Sequence, residues 1–159
     1  MSFVRLVRLA TPLLLASAVV VSAAHAEGGP PSRGEMAVEY RKSLYEVLAW
    51  NFGPMGAMAQ GKAPYNAAEF SRRADRVAAL APMLTEAFPP ESQAVKDTKL
   101  KADAWPNRAD FDAKLQDLID RSAALATVAK GGDFEKSKAA FFDTANACKA
   151  CHEKYKVKD

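Results

Sequence analysis

An all-α fold, an antiparallel four-helix bundle, is what this sequence predicts, and three observations predict it. Apolar residues recur every three or four positions through four long segments. Residues that start and stop helices bracket each of those segments. The composition is Ala-rich, with 8 Gly in 159 residues and few β-branched runs. No strand alternation, internal repeat or low-complexity tract interrupts the pattern.

The first 26 residues stand apart. Arg5 and Arg8 make a charged start, and Leu9 to Val21 is an apolar run broken by Thr11, Pro12 and Ser17. Ala24-His25-Ala26 then reads as a small-x-small cleavage site, so residues 1–26 are expected to be a secretory signal peptide. The apolar run is about half the ~20 residues that a membrane span needs, which disfavours an uncleaved anchor. Residues 27–159 are left as one domain, long enough for a sizeable core. The formal charge of +3 falls to +1 without the leader, 20 Lys+Arg against 19 Asp+Glu. Such a balance carries no nucleic-acid footprint.

The first helix is expected over about 32–60. Ser32 and Glu35 fit the S-x-x-E capping box, in which each side chain bonds the other's backbone N–H. Met36, Tyr40, Leu44, Val47/Leu48, Phe52, Met55 and Met58/Ala59 form its stripe. Pro54 cannot donate to the carbonyl of Trp50, so a kink is expected there. Asn66 opens a second helix over about 66–88, with Phe70, Ala74, Val77, Ala81, Leu84 and Phe88 in phase. Pro82 predicts a kink or an early stop inside it.

Residues 89–106 lack a period and exceed the 2–8 residues usual between bundle helices, so a crossover is expected. Trp105 is the large apolar residue in this connection, a loop anchor or else a cofactor contact. The third helix, about 107–130, carries Phe111, Leu115, Leu118, Ser122, Leu125 and Ala129. Gly131-Gly132 stops it, and Asp133 caps a fourth helix at once, about 133–157. Helices three and four are therefore antiparallel neighbours.

The fourth helix ends in Cys148-Lys149-Ala150-Cys151-His152, the Cys-x-x-Cys-His attachment signature of a c-type haem. Thiols three apart on a helix share a face, which suits two thioether bonds to one porphyrin. His152 can then put an imidazole nitrogen on the iron. Competing readings are a structural zinc site, a thioredoxin-like redox pair and a plain exported disulfide. Zinc needs four ligands where this cluster offers three, and a redox pair would sit beside a βαβ pattern that the chain lacks. The other histidine, His25, falls in the leader. The stripe Phe134, Ser137, Phe141, Thr144/Ala145, Cys148, Cys151/His152 and Tyr155 puts the motif on the core-facing side, so the porphyrin is expected between helices. Lys149, Lys154, Lys156 and Lys158 form a mild basic cluster at the tail. It is either a solvated helix end or a docking patch for an acidic redox partner.

Four amphipathic helices with a haem motif on the last resemble the cytochrome c′ family. The resemblance runs from about Met36 to Lys158. It rests on Tyr40-Arg41-Lys42-Ser43-Leu44-Tyr45, the Gly-Pro-Met run at 53–65, Ala104-Trp105, and the segment from Cys148 to Lys156. It implies a periplasmic haem protein, not an enzyme, with one haem c held by Cys148 and Cys151 and with His152 on the iron. It further implies that Tyr45 occupies the far side of a five-coordinate iron and that Arg41 bonds a haem propionate. Lys42 departs from the glutamine common in the family, and Lys156 stands where some members carry arginine. Small gaseous ligands, nitric oxide or carbon monoxide, are then the expected partners, with electron transfer also open and the redox partner unidentified. The alternative is a six-coordinate, low-spin electron carrier of the same bundle family, with Met36, Met55, Met58 or Met83 as rival ligands. A homodimer through the first two helices is implied; a nucleic-acid or membrane partner is not.

Overall fold

A computed structural model describes residues 29–158, and the expected signal peptide, residues 1–26 with His25, lies outside them. Four helices build the bundle: α1 (Arg33–Ala59), α2 (Ala67–Leu80), α3 (Arg108–Ala129) and α4 (Phe134–Tyr155). Each begins close to where its capping residue lies. Ser32 Oγ accepts from the Glu35 N–H and Glu35 returns a bond to Ser32, completing the capping box. Asn66 caps α2 and Asp133 caps α4 through the same N3 position. Gly132 follows α3 at φ 72°, the left-handed turn that a Cβ would strain, and α4 folds back against α3.

Two expectations change. The second helix does not reach Phe88 but stops early, one of the two outcomes that Pro82 predicts: α2 ends at Leu80 and a 3-10 turn, Ala81–Glu86, takes over with Pro82 near its start. The apolar stripe survives this change of backbone, since Ala81, Leu84 and Phe88 stay buried. Conversely, α1 runs unbroken through Pro54, but its expected stripe splits. Leu44, Met55, Met58 and Ala59 face the core, whereas Met36, Tyr40 and Val47 are exposed beside Trp50 at 75%.

The crossover from α2 to α3 is a strap with local structure. It contains short 3-10 turns at Pro90–Ala94 and Ala102–Ala104. Its first turn lies so close to α1 that a Cβ on Gly34 would sit 2.4 Å from the Glu91 carbonyl oxygen. Its far end pairs with the tail of α4: Lys101 N–H donates to the Tyr155 carbonyl and Val157 N–H to the Lys99 carbonyl, both at 2.8 Å. Trp105 is partly buried against the cluster around Phe111 and does not line the cavity described below, so it anchors the loop.

Side chains fill the bundle in two clusters. At the end holding the α1–α2 and α3–α4 turns, Met55, Met58, Phe70, Val77, Leu125 and Phe141 close a continuous core. At the end holding the strap, Leu44, Leu84, Phe88, Phe111, Leu115 and Tyr155 form the second. Among the described residues no helix is long and apolar enough to cross a membrane.

Candidate functional site

A cavity of about 580 Å³ opens between the helices at the strap end. That volume is in the range of small-molecule and cofactor sites. Its α1 wall is Arg41, Tyr45, Leu48 and Phe52; α3 adds Phe111, Leu115 and Leu118; α4 adds Cys148, Cys151, His152 and Tyr155. Thr98, Lys99 and Leu100 of the strap complete the lining. All five residues singled out from the sequence, Arg41, Tyr45, Cys148, Cys151 and His152, thus meet at one cavity.

The helical register explains the α4 wall. Thr144, Cys148, Cys151 and Tyr155 repeat at intervals of four, three and four, one face of a helix. Thr144 is fully buried and its hydroxyl bonds the Ala140 carbonyl at 2.9 Å and the Arg121 carbonyl of α3 at 3.2 Å, fixing α4 against α3. Tyr155 is 1% exposed, and its hydroxyl donates to Asp110 at 2.5 Å. Both cysteines are free, half-buried thiols, and burial pushes each thiol pKa up. Burial, then the nearby Lys156, lowers the His152 pKa below its usual value. The imidazole is therefore neutral at pH 7, the state that can ligate a metal.

Arg41 is not a surface arginine. It is 3% exposed and stacks over the Phe88 ring at 5.2 Å. Three of its five N–H groups go to neutral acceptors of the strap side: the Ala87 carbonyl (3.3 Å), Ser92 Oγ (3.1 Å) and Thr98 Oγ1 (2.9 Å). Among the described residues no carboxylate pairs with this buried cation, and burial lowers its pKa. A buried guanidinium without a counter-ion calls for an anion beside it. Tyr45 lines the cavity and is 37% exposed; partial desolvation there, then the neighbouring Cys151, raises its phenol pKa above the usual value. It stays neutral and makes a poor iron ligand.

Haem c is a flat apolar macrocycle with two carboxylates on one edge, and the residues present fit it. The cavity is walled mainly by apolar side chains, two thiols lie one helical turn apart on α4, and the unpaired Arg41 cation faces the same space. The alternatives fare worse. Among the described residues no group of three or more His, Cys, Asp or Glu is placed to hold a metal ion, as a structural zinc would require. Of the four rival methionines, Met55 and Met58 are buried in the other cluster, Met36 and Met83 are exposed, and none lines the cavity. Lys42 spends its ammonium on Glu39 and Asp97, at 2.8 and 2.7 Å. Ser92 and Thr98 were not legible as site residues; the excess length of the crossover was the available signal.

Comparison with known proteins agrees. The sequence profile described as Cytochrome C' matches residues 36–156. The chain is 37% identical to a cytochrome c′ of Rubrivivax gelatinosus over 122 residues, 77% of this chain and 95% of that protein. It superposes on a cytochrome c′ of Shewanella frigidimarina with a TM-score of 0.76 at 43% identity, covering 81% of this chain and all of that one. A similar match, TM-score 0.73 at 33% identity over 80% and 98% of the two chains, is a variant cytochrome c′ of Alcaligenes xylosoxidans in complex with nitric oxide.

Proposed function

This chain belongs to the cytochrome c′ family, and from that premise we propose that it is a periplasmic haem protein that binds small diatomic gases, nitric oxide first. The family's cofactor is a single haem c, joined to the protein through two thioethers; bound here, it would supply redox-active iron able to take a small gas. The chain's own residues do the rest. Cys148 and Cys151 tether the macrocycle to α4, and His152 offers its neutral imidazole nitrogen to the iron. Arg41 receives a propionate with the N–H groups that the strap leaves unspent. The α1 wall of Tyr45, Leu48 and Phe52 keeps water and anions out, because desolvating an ion there goes uncompensated, while a small neutral molecule enters at little cost.

The observation that carries this reading is that, among the described residues, no methionine lines the cavity, while a neutral Tyr45 stands on the α1 wall. Carbon monoxide added to the reduced protein tests it, with one gas molecule expected per haem. A Tyr45→Met variant should lose that binding by placing a thioether sulfur where the gas goes. Equal carbon monoxide affinity in both proteins would sink the assignment of Tyr45.

Two further readings belong here. The exposed α1 face of Met36, Tyr40, Val47 and Trp50 supports a homodimer packed through the first helices. Sedimentation of the holoprotein should show a dimer at micromolar concentration, and a Trp50→Glu variant should sediment as a monomer. The leader at residues 1–26 supports export, so protein recovered from a periplasmic fraction should begin near Glu27.

A further inference from the structure

An α-helix leaves the carbonyls at its C-terminal end without partners inside the helix. In α4 the last carbonyl served by the helix itself is that of His152, which receives the Lys156 N–H at 3.0 Å. Glu153, Lys154 and Tyr155 come after it. A glycine in the left-handed turn often closes such an end, but here Lys156 passes straight into extended backbone. One residue of the strap takes all three carbonyls instead. The Lys101 N–H donates to Tyr155 at 2.8 Å, and the Lys101 ammonium donates to Lys154 at 3.1 Å and to Glu153 at 3.4 Å. A cation in that place also suits the negative end of the helix dipole.

Lys101 is itself held firmly. Its carbonyl receives the Ala104 N–H at 3.2 Å, closing the 3-10 turn Ala102–Ala104, and Trp105 just beyond is anchored in the cluster of Phe111 and Tyr155. A second bond joins strap and tail, from the Val157 N–H to the Lys99 carbonyl at 2.8 Å. The side chains of the same turn go to α3, where Lys154 and Tyr155 both reach Asp110, at 3.0 and 2.5 Å. The ends of α1 and α3 are closed locally, by the N–H groups of residues 60–63 and of Gly131 and Gly132. The end of α4 is braced from another segment of the chain, and His152 is where that braced end begins. Among the described residues no group hydrogen-bonds the His152 ring. A metal-binding histidine is ordinarily oriented by a partner on its other ring nitrogen. Orientation here comes through the backbone.

From this placement we infer that Lys101 is a positioning residue for the iron ligand: it caps the end of α4 from the strap and so fixes the turn that holds the His152 imidazole in line for the iron. The inference rests on haem attachment at Cys148–His152 and on the free axial side proposed above. It gives the strap a second duty, since Ser92 and Thr98 steady Arg41 on one side of the cavity and Lys101 steadies His152 on another.

Amide hydrogen exchange and resonance Raman spectra of the ferrous holoprotein test it together. Lys101→Met keeps the backbone N–H and the aliphatic stem but removes the ammonium. The Lys156 and Val157 N–H groups should then exchange at least about tenfold faster. The iron–histidine stretching band should broaden and move to lower frequency, because a ring held less firmly is less well aligned. Lys101→Arg supplies a cationic donor again and should restore both readings. Lys96→Met takes the same charge from an exposed position of the strap and should leave both at the parent values. Leu125→Ala weakens the far end of the bundle and should lower the thermal midpoint without moving the band. Val157→Pro deletes the other strap–tail bond and should shift the band in the same direction by less; Lys156 already has the extended backbone that a following proline requires. That variant keeps the inference testable should Lys101→Met fail to fold. An unmoved band in Lys101→Met, unchanged exchange, or an equal band shift in Leu125→Ala would overturn the inference. A colourless parent would overturn the haem reading, and a coloured parent without the band would overturn the free axial side. Either takes this inference with it, and both differ from its own failure, in which the parent shows the band and the variants leave it in place.

Discussion

One end of this bundle is complete in itself and the other is built around a guest. At the end with the tight turns, Phe70 meets Phe141 edge to face with ring centroids 6.4 Å apart, and Phe70 and Leu125 are fully buried. At the strap end the same four helices enclose about 580 Å³, although Phe88, Phe111 and Tyr155 pack edge to face around it. The difference lies in what fills the space between helices. The first half matches side chain to side chain; the second spaces its helices so that a macrocycle supplies the missing contacts. Stability of the strap end is therefore linked to cofactor uptake, while that of the turn end is not.

The largest effect that would sharpen this contrast comes from removing both tethers. Cys148→Ser with Cys151→Ser should give exported protein without covalent haem, colourless on a denaturing gel. Its thermal midpoint should drop by more than about 10 °C, a loss of several kcal/mol for a chain of this size. Equal midpoints with and without haem would break the comparison. Next, Leu125→Ala at the closed end should cost about 2–5 kcal/mol in either background, because it opens a new void. Leu115→Ala lines the existing cavity, so it should cost a similar amount in the holoprotein and clearly less in the tetherless one. Denaturant unfolding of these four variants and their two parent proteins measures this coupling.

Arg41→Met comes third. It takes the guanidinium donor from Ser92, Thr98 and the Ala87 carbonyl, of which Thr98 keeps the Leu100 N–H, and should cost about 1–3 kcal/mol. In the holoprotein the propionate contact proposed for Arg41 would go as well, so the haem reduction potential should move; an unchanged potential would remove Arg41 from the site. The smallest effect is one of pH. Hydrogen bonds from Tyr155, then Lys154, hold the Asp110 carboxylate below its ordinary value of 3.8. A lowered pKa means stability that is present above the unfolded value and lost as pH falls through the folded one. The wild type should therefore melt slightly above an Asp110→Asn variant at pH 7, and the two midpoints should converge on acidification below about 3.8. Parallel curves down to pH 2 would contradict this.

What the chain reveals about itself follows from range. Caps act within three residues, so Ser32, Asn66 and Asp133 locate helix starts closely. The Cys148–His152 motif is equally local. A period of three to four apolar residues cannot separate an α-helix from a 3-10 turn, which is why Ala81, Leu84 and Phe88 read as one helix with α2. The α1 stripe merged two faces for a related reason: on a helix apolar on both sides, spacing alone does not tell the core-facing residues from the exposed Met36, Tyr40 and Val47. Arg41 was legible as a residue of interest through family resemblance. Its burial was not, because Ser92 and Thr98, the groups that make it tolerable, lie 51 and 57 positions away. The strap's bridge to the tail is likewise a contact that periodicity does not encode.

The open end matters only if the iron it is built to hold keeps an axial side free. Resonance Raman and optical spectra of the dithionite-reduced, purified holoprotein measure that directly. A high-spin, five-coordinate ferrous signature is the expected result. A low-spin, six-coordinate ferrous spectrum would contradict it, and would mean that a side chain absent from the cavity lining reaches the iron.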